Sequence, residues 1–369
     1  MPSNHAAFLS AKSVTPLNVK PATYTPPSEN EIVVKNGAVA VNPLDWFKQA
    51  AGNIMFSWIK YPFVMGSDLA GEVVEVGKGV ARFKVGDRVV GHAVGMDPKS
   101  NKSAEGAFQQ YTVIRANMAS PIPSSMPYEN ACVLPLGLST AACALFQKDF
   151  LALPYPTVSA KPNGKTILVW GGSSSVGSNA IQLAVAAGHD VITTASPKNF
   201  NYVRSLGAVE VFDYRSPTVI KDIIEAFRNR QSAGAISIGN GSLKPCIEIL
   251  AASKGRKFVA QASVDVPAEM PSSTMGWVST GLSMGWSNMS MAVKSRVNRV
   301  DTKFIFGSDL MANEVGRAIY EDYLPAALAQ GKYIAAPEPL VVGKGLEYVQ
   351  EAMDMNKKGV SAKKVVVSL

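Results

Sequence analysis

The stretch that decides the fold is residues 166–177, which read TILVWGGSSSVG. Its first five residues form a short apolar run that ends at two glycines, and small residues follow. Apolar residues then recur at helical spacing as far as Ala187, and Gly188 marks the end of the pattern. The sequence therefore predicts a buried strand, a turn of glycine and serine, and a helix.

A turn of this composition can bind a phosphate. Small residues let the backbone approach a pyrophosphate, and the first turn of the helix offers unpaired N–H groups with a partial positive charge. Read as GxGxxG, Gly172 and Gly177 hold the outer positions and Ser174 replaces the middle glycine. A tight turn without a ligand would have the same composition, but the strands and helices that follow favour a dinucleotide site.

The residues around the turn predict two kinds of structure. The first roughly 130 residues read as short valine-rich strands between Gly, Pro and Asn turns, and they indicate a β domain. After the turn, short strands alternate with helices, which indicates a parallel sheet covered on both faces. After Lys303 we expect two helices and a final strand at 364–367, too little for a third domain. The predicted segments after the turn are strands at 191–195, 209–212, 235–238 and 258–261 and helices at 199–205 and 219–227.

Composition excludes several classes of protein. The chain has 369 residues, of which 47% are hydrophobic and 17% charged, and its net charge is +8. This length suits two domains. The basic residues are scattered and form no stripe with aromatic residues, so we expect no nucleic-acid partner. No segment predicts a secretory signal or a membrane span, and the few, widely spaced cysteines suit a reducing compartment. We expect a soluble, cytoplasmic protein without a membrane partner.

The choice of cofactor can be read at the end of the second strand. An NAD site usually places an acid there to bind the ribose 2′-hydroxyl. Residues 193–199 read TTASPKN and hold no carboxylate, while Asp190 lies at the opposite end of the strand. Lys198 could instead bind a 2′-phosphate. The sequence favours NADPH, and an ordinary loop with a solvated lysine is the alternative.

Motifs along nearly the whole chain resemble those of the medium-chain dehydrogenase/reductase superfamily. The resemblance implies an α/β fold made of a GroES-like β domain and a doubly wound Rossmann domain, with the active site in the cleft between them. The GroES-like domain would span 1–135 and be completed by 306–369, and the NADPH-binding domain would span 136–305. The motifs are NPLD at 42–45, GSDLAG at 66–71, VG at 76–77, FKVGDRV at 83–89, GAFQQY at 106–111 and LPLGLSTA at 134–141.

The departures from that superfamily concern zinc. Zinc-dependent members carry a cysteine near Asn42 and Gly-His-Glu where this chain has GSD at 66–68. The structural zinc lobe needs four closely spaced cysteines, and residues 92–107 contain none. His92 is then a loop or packing residue and not a ligand. The resemblance implies no metal site, and the zinc-free branch typically reduces activated C=C bonds or quinones with NADPH.

Within that branch the chain is most similar to fungal trans-acting enoyl reductases and to quinone-oxidoreductase-like proteins. The resemblance is carried by GAFQQYTV at 106–113, SPKNF at 196–200, EVFDYR at 210–215 and FGSDL at 306–310. It implies that the cofactor is lined by Pro43, Leu44, Asp45, Trp46, Thr140, Ser173, Ser174, Ser175 and Val176. Ser196, Lys198, Asn199 and Tyr214 would surround its 2′-phosphate, and Ser361 and Ala362 would close over the nicotinamide side.

The expected reaction is hydride transfer from NADPH to an activated C=C bond, followed by protonation of the enolate. Relatives place a lysine two residues after the aspartate of NPLD, where this chain has Phe47, with Lys48 one residue later. Lys48 and Tyr61 are the candidate proton donors. For each residue a purely structural role is the alternative, and water could donate the proton instead. The substrate would be small, apolar and unsaturated, free or bound to a carrier, and would belong to secondary metabolism.

Two other functions stay open on the sequence. One is a quinone or carbonyl reductase that uses the same cofactor. The other is a non-catalytic NADPH-binding protein with an RNA or scaffold role. Residues 275–293 are rich in Met and Trp, and they fit an apolar substrate pocket, a buried helix or a subunit contact. Either a monomer or a homodimer is compatible with the sequence.

Overall fold

The computed structural model describes residues 2–263, 265, 271 and 273–369. The strands are β1 (Asn4–Leu9), β2 (Asn18–Ala22), β3 (Glu31–Ala40), β4 (Phe63–Val64), β5 (Asp68–Val76), β6 (Arg88–His92), β7 (Tyr111–Arg115), β8 (Ala119–Pro121), β9 (Lys165–Trp170), β10 (Asp190–Ala195), β11 (Glu210–Asp213), β12 (Gln231–Ser237), β13 (Lys254–Gly255), β14 (Phe258–Gln261), β15 (Asp301–Phe304), β16 (Glu338–Lys344) and β17 (Lys363–Ser368). The α-helices are α1 (Pro43–Ala51), α2 (Tyr128–Ala131), α3 (Pro135–Phe146), α4 (Ser175–Ala186), α5 (Phe200–Ser205), α6 (Val219–Ala226), α7 (Leu243–Ala252), α8 (Thr274–Asn298), α9 (Glu314–Arg317), α10 (Leu324–Ala329) and α11 (Val349–Lys358).

The chain divides into two compact units. The first comprises residues 1–139 and 308–369, and the second comprises residues 140–307. The observed boundaries, at 139/140 and 307/308, lie four and two residues after the predicted boundaries at 135/136 and 305/306. The first boundary falls inside α3, which continues without a break from Pro135 to Phe146. The second unit is thus an insertion into the first.

The second unit contains a parallel sheet in the order β11-β10-β9-β12-β14-β15. The order reverses direction between β9 and β12, which is the switch point at which doubly wound sheets bind ligands. β9 is buried at every residue after Lys165, as expected for a strand covered on both faces. A core of α6, α7 and the sheet includes Leu168, Ile223 and Ile247, all fully buried. The predicted α/β fold class and its doubly wound sheet are confirmed.

The first unit is built on a mixed sheet in the order β16-β17-β3-β5-β6-β8, with β7 also paired to β3. A separate three-stranded sheet has the order β2-β1-β4. The final strand β17 lies between β16 and β3, so residues 363–368 complete a sheet whose first strand in the sequence is formed by residues 31–40. The sequence predicted β17 but not β16, whose residues are mostly half-buried and include Pro339.

One segment of the described chain, Tyr128–Phe146, is long and apolar enough to cross a membrane. Its mean hydropathy is 1.3, and 83% of the segment is buried inside the protein. Such burial is typical of a core helix. Cys132 and Cys143 lie in this segment, and like Cys246 they are buried and form no disulfide within the described residues.

Candidate functional site

The turn between β9 and α4 needs glycine at three positions. Gly171 has a φ of +92°, a conformation that strongly favours glycine. A Cβ atom at Gly172 would lie 2.2 Å from Oγ1 of Thr193, and one at Gly177 would lie 2.2 Å from the carbonyl oxygen of Gly171. The backbone is therefore packed so closely that the turn and the first turn of α4 form one tight cradle.

The serines of this turn have different roles. Ser174 is the N-cap of α4: its Oγ accepts a hydrogen bond from the N–H of Gly177 at 3.0 Å and donates to the carbonyl of Gly171 at 2.7 Å. The Oγ of Ser175 is buried without a hydrogen-bond partner in the described part of the chain. Ser173 and Val176 are half-buried beside it. An unsatisfied hydroxyl at a helix N-terminus fits a phosphate oxygen of a dinucleotide, so these residues fit such a cofactor.

The predicted 2′-phosphate residues follow two neighbouring strands. β10 and β11 run parallel and place Ala195 opposite Asp213, so the residues that follow each strand share one edge of the sheet. The Oγ of Ser196 donates a hydrogen bond to the hydroxyl of Tyr214 at 3.4 Å. Lys198 is exposed, and no acid among the described residues pairs with it. Asn199 is buried in the same turn.

A second cation at this edge was not singled out from the sequence. The guanidinium of Arg215 contacts the carboxylate of Asp213 at 3.3 Å and lies 5.6 Å from the ring centre of Tyr214. Asp213 is the carboxylate closest in sequence to Tyr214, and Arg215 offsets its charge. Lys198, which is unpaired, and Arg215 together favour an anion at this edge. The signal was present in EVFDYR, where the arginine comes two residues after the acid.

Ser237 is another residue that sequence reasoning missed. It is the last residue of β12 and pairs in register with Trp170, the last residue of β9. Its Oγ is buried and has no hydrogen-bond partner within the described residues. It therefore offers an unused polar atom at the switch point of the sheet, where a ligand of a doubly wound fold is bound.

In the first unit, the ends of several strands bring polar residues together. Asp68 begins β5 and pairs in register with Ala40 at the end of β3 and with His92 at the end of β6. One carboxylate oxygen of Asp68 accepts from the Asn42 amide at 2.9 Å and lies 2.7 Å from the Lys364 ammonium. The other accepts from the N–H of Leu136 at 2.7 Å. The Lys364 ammonium also donates to the carbonyl oxygen of the Asn42 side chain.

Asp45 lies in the first turn of α1, next to this group. One carboxyl oxygen accepts from the N–H of Asn42 at 2.7 Å, and the other is buried without a hydrogen-bond partner among the described residues. Burial, together with the nearby Asp68 carboxylate, raises the pKa of Asp45 to about 7 against the opposing effect of the Asn42 hydrogen bond.

His92 lies in a strand, so the part of its prediction that placed it in a loop is wrong. It is buried at the end of β6, a strand in which every residue after Arg88 is buried. Its Nδ1 lies 2.9 Å from the hydroxyl of Ser139, which lies 2.8 Å from the hydroxyl of Tyr320. Burial lowers the pKa of His92 to about 4, so its ring is neutral near pH 7. In the described part of the chain, no three His, Cys, Asp or Glu side chains are grouped as metal ligands.

The two candidate proton donors have separate surroundings. The buried ammonium of Lys48 donates to the carbonyl of Met96 at 2.8 Å and lies 4.9 Å from the ring centre of Phe56 and 5.9 Å from that of Trp58. Burial lowers the pKa of Lys48 to about 8, although the carboxylates of Asp45 and Asp97 oppose the shift. Tyr61 is half-buried, and burial raises its pKa. No hydrogen bond joins Lys48 to Tyr61 within the described residues.

The other predicted cofactor residues differ in exposure. Pro43 and Leu44 are exposed at the start of α1, and the indole N–H of Trp46 donates to Oδ1 of Asn356 at 3.1 Å. Phe47 takes the place of the lysine of relatives and packs edge-on against Phe56, with ring centres 5.9 Å apart. Three residues complete the set: Thr140 is buried in α3, Ser361 is exposed, and Ala362 has a φ of +50° before β17.

The chain is similar to a known domain family, to fungal dehydrogenases and reductases, and to solved structures. The Alcohol dehydrogenase GroES-like domain family matches residues 28–124. The chain is 54% identical to the dehydrogenase pigH of Monascus ruber over the full length of both proteins. It is 39% identical to the trans-enoyl reductase himH of Aspergillus japonicus, over 99% of this chain and 97% of that protein. A solved alcohol dehydrogenase superfamily protein from Novosphingobium aromaticivorans has the same fold, with a TM-score of 0.74 and 23% identity over 99% of each chain.

Proposed function

Since the chain belongs to the medium-chain dehydrogenase/reductase superfamily, we propose that it is a reductase of an activated C=C bond that uses NADPH and no zinc. Membership makes the chain an oxidoreductase, and the doubly wound unit with its phosphate cradle implies a nicotinamide cofactor. The substrate class and the choice of NADPH are our proposal. The himH relative, named a trans-enoyl reductase, supports an enoyl or enone substrate.

The observation that carries the proposal is the bonding of Asn42, Asp68 and Lys364. Asn42 stands near the position at which zinc-dependent members carry a cysteine. Both ends of its carboxamide are bonded, because the amide donates to Asp68 and the carbonyl accepts from Lys364. The Lys364 ammonium is thus bonded to both partners, and these three side chains offer zinc no thiolate ligand. Oxidation of a plain alcohol depends on a Lewis acid in the zinc enzymes, whereas an activated C=C bond accepts hydride without one.

The preference for NADPH rests on the edge formed by Ser196, Lys198 and Tyr214. An unpaired lysine and two hydroxyls match a phosphate, which carries nearly two negative charges. The acid next to Tyr214 in the sequence, Asp213, is paired with Arg215. A ribose 2′-hydroxyl would instead need a free carboxylate at this place.

When bound, NADPH would supply the hydride that adds to the β-carbon of the substrate. The cradle at Gly172 and Gly177 would hold its pyrophosphate, and Ser175 would donate a hydrogen bond to it. For the proton that the α-carbon needs, we propose the ammonium of Lys48. Its pKa of about 8 leaves it charged at neutral pH and close to the optimum of a general acid. Water is the alternative donor.

The decisive experiment is a stereospecific labelling assay. NADPH carrying deuterium at C4 would be incubated with the protein and with panels of enones, enoyl thioesters, quinones and aldehydes. We expect deuterium at the β-carbon of an enone or enoyl thioester. Products reduced at a carbonyl group or a quinone would overturn this proposal and identify the protein as a carbonyl or quinone reductase. Tight, salt-sensitive RNA binding without any turnover would identify a non-catalytic protein.

We further propose a cytoplasmic enzyme of secondary metabolism that acts on a small apolar substrate, free or bound to a carrier. The curated relative that is a trans-enoyl reductase supports a tailoring role. No membrane partner and no nucleic acid are part of this proposal.

A further inference from the structure

A long helix of the second unit exposes an apolar face. α8 has 25 residues, and seven of its large apolar side chains are between 54 and 79% exposed. We call these residues the apolar stripe: Met275, Val278, Leu282, Trp286, Met289, Val293 and Val297. The buried-helix interpretation of residues 275–293 is therefore wrong for this face, since only the opposite side is turned to the rest of the unit.

The spacing of the stripe keeps it on one face. Its members follow one another at steps of three, four and four residues, and the series then repeats. This is an eleven-residue repeat of about 3.67 residues per turn, so the stripe runs almost straight along a regular helix. The helix rises about 1.5 Å per residue, which makes the stripe roughly 33 Å long. A small substrate would cover only a fraction of that length.

The stripe is also self-complementary. Trp286 is its central member, and the others lie at nearly equal distances on both sides: Leu282 matches Met289, Val278 matches Val293, and Met275 matches Val297. A second copy placed antiparallel, with a two-fold axis at Trp286, brings each of these pairs face to face. Isologous contacts of this kind are the commonest way in which identical chains pair.

Charge and backbone shape favour close contact between helices. The first charged residue of α8 is Lys294, and it pairs with Glu248 of α7 on the side away from the stripe. Gly281 and Gly285 flank the stripe, and a Cβ added to either would meet nothing within 4 Å. Two helices can therefore approach each other here without burying a charge.

The exposed area is of the size that a dimer needs. Seven large apolar side chains that are more than half exposed present on the order of 700 Å² to solvent. The largest apolar patch of a monomer is about 300–600 Å², and a stable interface buries about 800 Å² on each partner. A helix that lies on a membrane surface would carry Lys and Arg along its whole polar face, whereas the polar positions of α8 before Lys294 are uncharged.

We propose that the apolar stripe is the interface through which two copies of this chain pair antiparallel, about a two-fold axis at Trp286. The stripe then lies in the interface and not in solvent. This interface is independent of the proposed reaction, since it uses no residue of the cofactor cradle or of the buried polar group.

The first test is the mass of the full-length protein in solution, measured by light scattering over a range of concentrations. We expect twice the 39.1 kDa of one chain. Trp286→Asp and Leu282→Asp should each shift the mass to that of a monomer and raise the dissociation constant of the dimer at least tenfold. Each substitution places one carboxylate from each copy in an apolar contact. Val209→Asp changes another exposed apolar residue of the same unit and should leave the mass unchanged. Circular dichroism would verify that all three variants fold.

The second test checks the register by cross-linking. The native cysteines are buried, so a new surface thiol would react alone. Gly285→Cys lies one residue from the axis and should form a covalent dimer with a short thiol cross-linker. Met275→Cys should not, because antiparallel pairing holds its two copies roughly 33 Å apart.

Three results would overturn the proposal. They are a monomer at every concentration, a dimer that survives Trp286→Asp, and cross-linking through Met275→Cys, which would indicate parallel pairing. Co-sedimentation of a monomer with anionic vesicles of phosphatidylserine, lost in Trp286→Asp, would identify the stripe as a membrane-binding face.

Discussion

The ammonium of Lys364 and the carboxylate of Asp68 lie 2.7 Å apart, and both side chains are almost completely buried. The two residues come from opposite ends of the first unit's sequence and meet where β17 and β5 begin. Asn42 bonds to both, so the pair is part of one network. A buried pair of this kind is costly to break, because either partner alone is an uncompensated charge.

Replacement of Lys364 should therefore destabilise the protein. We expect Lys364→Met to lower the free energy of unfolding by about 3–5 kcal/mol, measured by urea denaturation. The neighbouring Lys363→Met, which removes a surface pair with Glu338, should cost about 0–1 kcal/mol. Lys364→Met combined with Asp68→Asn should recover part of the loss. Equal effects of the two single lysine variants would contradict a structural role for the buried pair.

Two adjacent serines should respond in opposite ways. Ser175→Ala removes a hydroxyl that has no hydrogen-bond partner among the residues that the structure describes, so we expect unchanged or slightly higher stability. We also expect about tenfold weaker NADPH binding, or about 1.4 kcal/mol. Ser174→Ala removes the N-cap of α4 and should cost about 1 kcal/mol of stability. Thermal unfolding without cofactor and fluorescence titration with NADPH measure both quantities. A stability loss in Ser175→Ala with unchanged NADPH affinity would show that this hydroxyl does not face the cofactor.

Lys198 should decide between the two nicotinamide cofactors. Loss of a charge-assisted bond to a phosphate costs about 1.5–3 kcal/mol, so Lys198→Ala should weaken NADPH binding about 10- to 100-fold and leave NADH binding unchanged. Lys221→Ala, at an exposed position in α6, is the matched control. If Lys198→Ala together with Tyr214→Phe left NADPH affinity as it is, the phosphate would bind elsewhere.

Asp45 should make stability depend on pH. Its pKa of about 7 in the folded protein exceeds the value of about 4 in an unfolded chain, so the folded state binds more protons between these values. Stability should therefore fall as the pH rises from 4 to 7. Asp45→Asn keeps an oxygen for the Asn42 N–H and should remove this slope. The free energy of unfolding that Asp45 contributes at low pH and loses above pH 7 is at most about 4 kcal/mol. Asp354→Asn, on the exposed face of α11, should leave the slope intact.

Titration of Lys48 should make kcat fall at alkaline pH, which we call the alkaline limb of the pH profile. As a general acid it is active when protonated, so kcat should fall as the pH rises through about 8. Lys48→Met should lower kcat about 100-fold or more and abolish the limb, with little change in KM. Tyr61→Phe should retain both the rate and the limb. An unchanged profile in Lys48→Met would point to water as the proton donor.

The local parts of the fold could be predicted because their signals are local. β9, the turn and α4 were predicted within one residue of their observed ends, since an apolar run, glycines and helical spacing are contiguous in the chain. β16 was missed because its pairing with β17 and its burial depend on residues brought together only by folding. For α8, the Met and Trp content of residues 275–293 was compatible with a buried helix among other structures, but composition does not reveal which face of a helix meets solvent.

The same distinction applies to the site. The motifs that resemble a known family grouped Ser196 with Tyr214 around a 2′-phosphate, which stays a prediction, and the structure places their hydroxyls 3.4 Å apart. The network of Asn42 and Lys364 joins residues 322 positions apart, and no pattern within either segment indicates it. The pKa values of Asp45 and Lys48 likewise depend on burial, which the sequence of α1 does not reveal.

The insertion of residues 140–307 between the two parts of the first unit has a consequence for biosynthesis. The inserted unit leaves the ribosome as one block and can fold while translation continues. The first 139 residues emerge earlier but lack β17, so the nascent sheet keeps an open edge on β3 until the final residues arrive. Asp68 lacks its partner, the Lys364 ammonium, until the same residues are synthesised. The segment that is synthesised first is therefore the last to complete its folding.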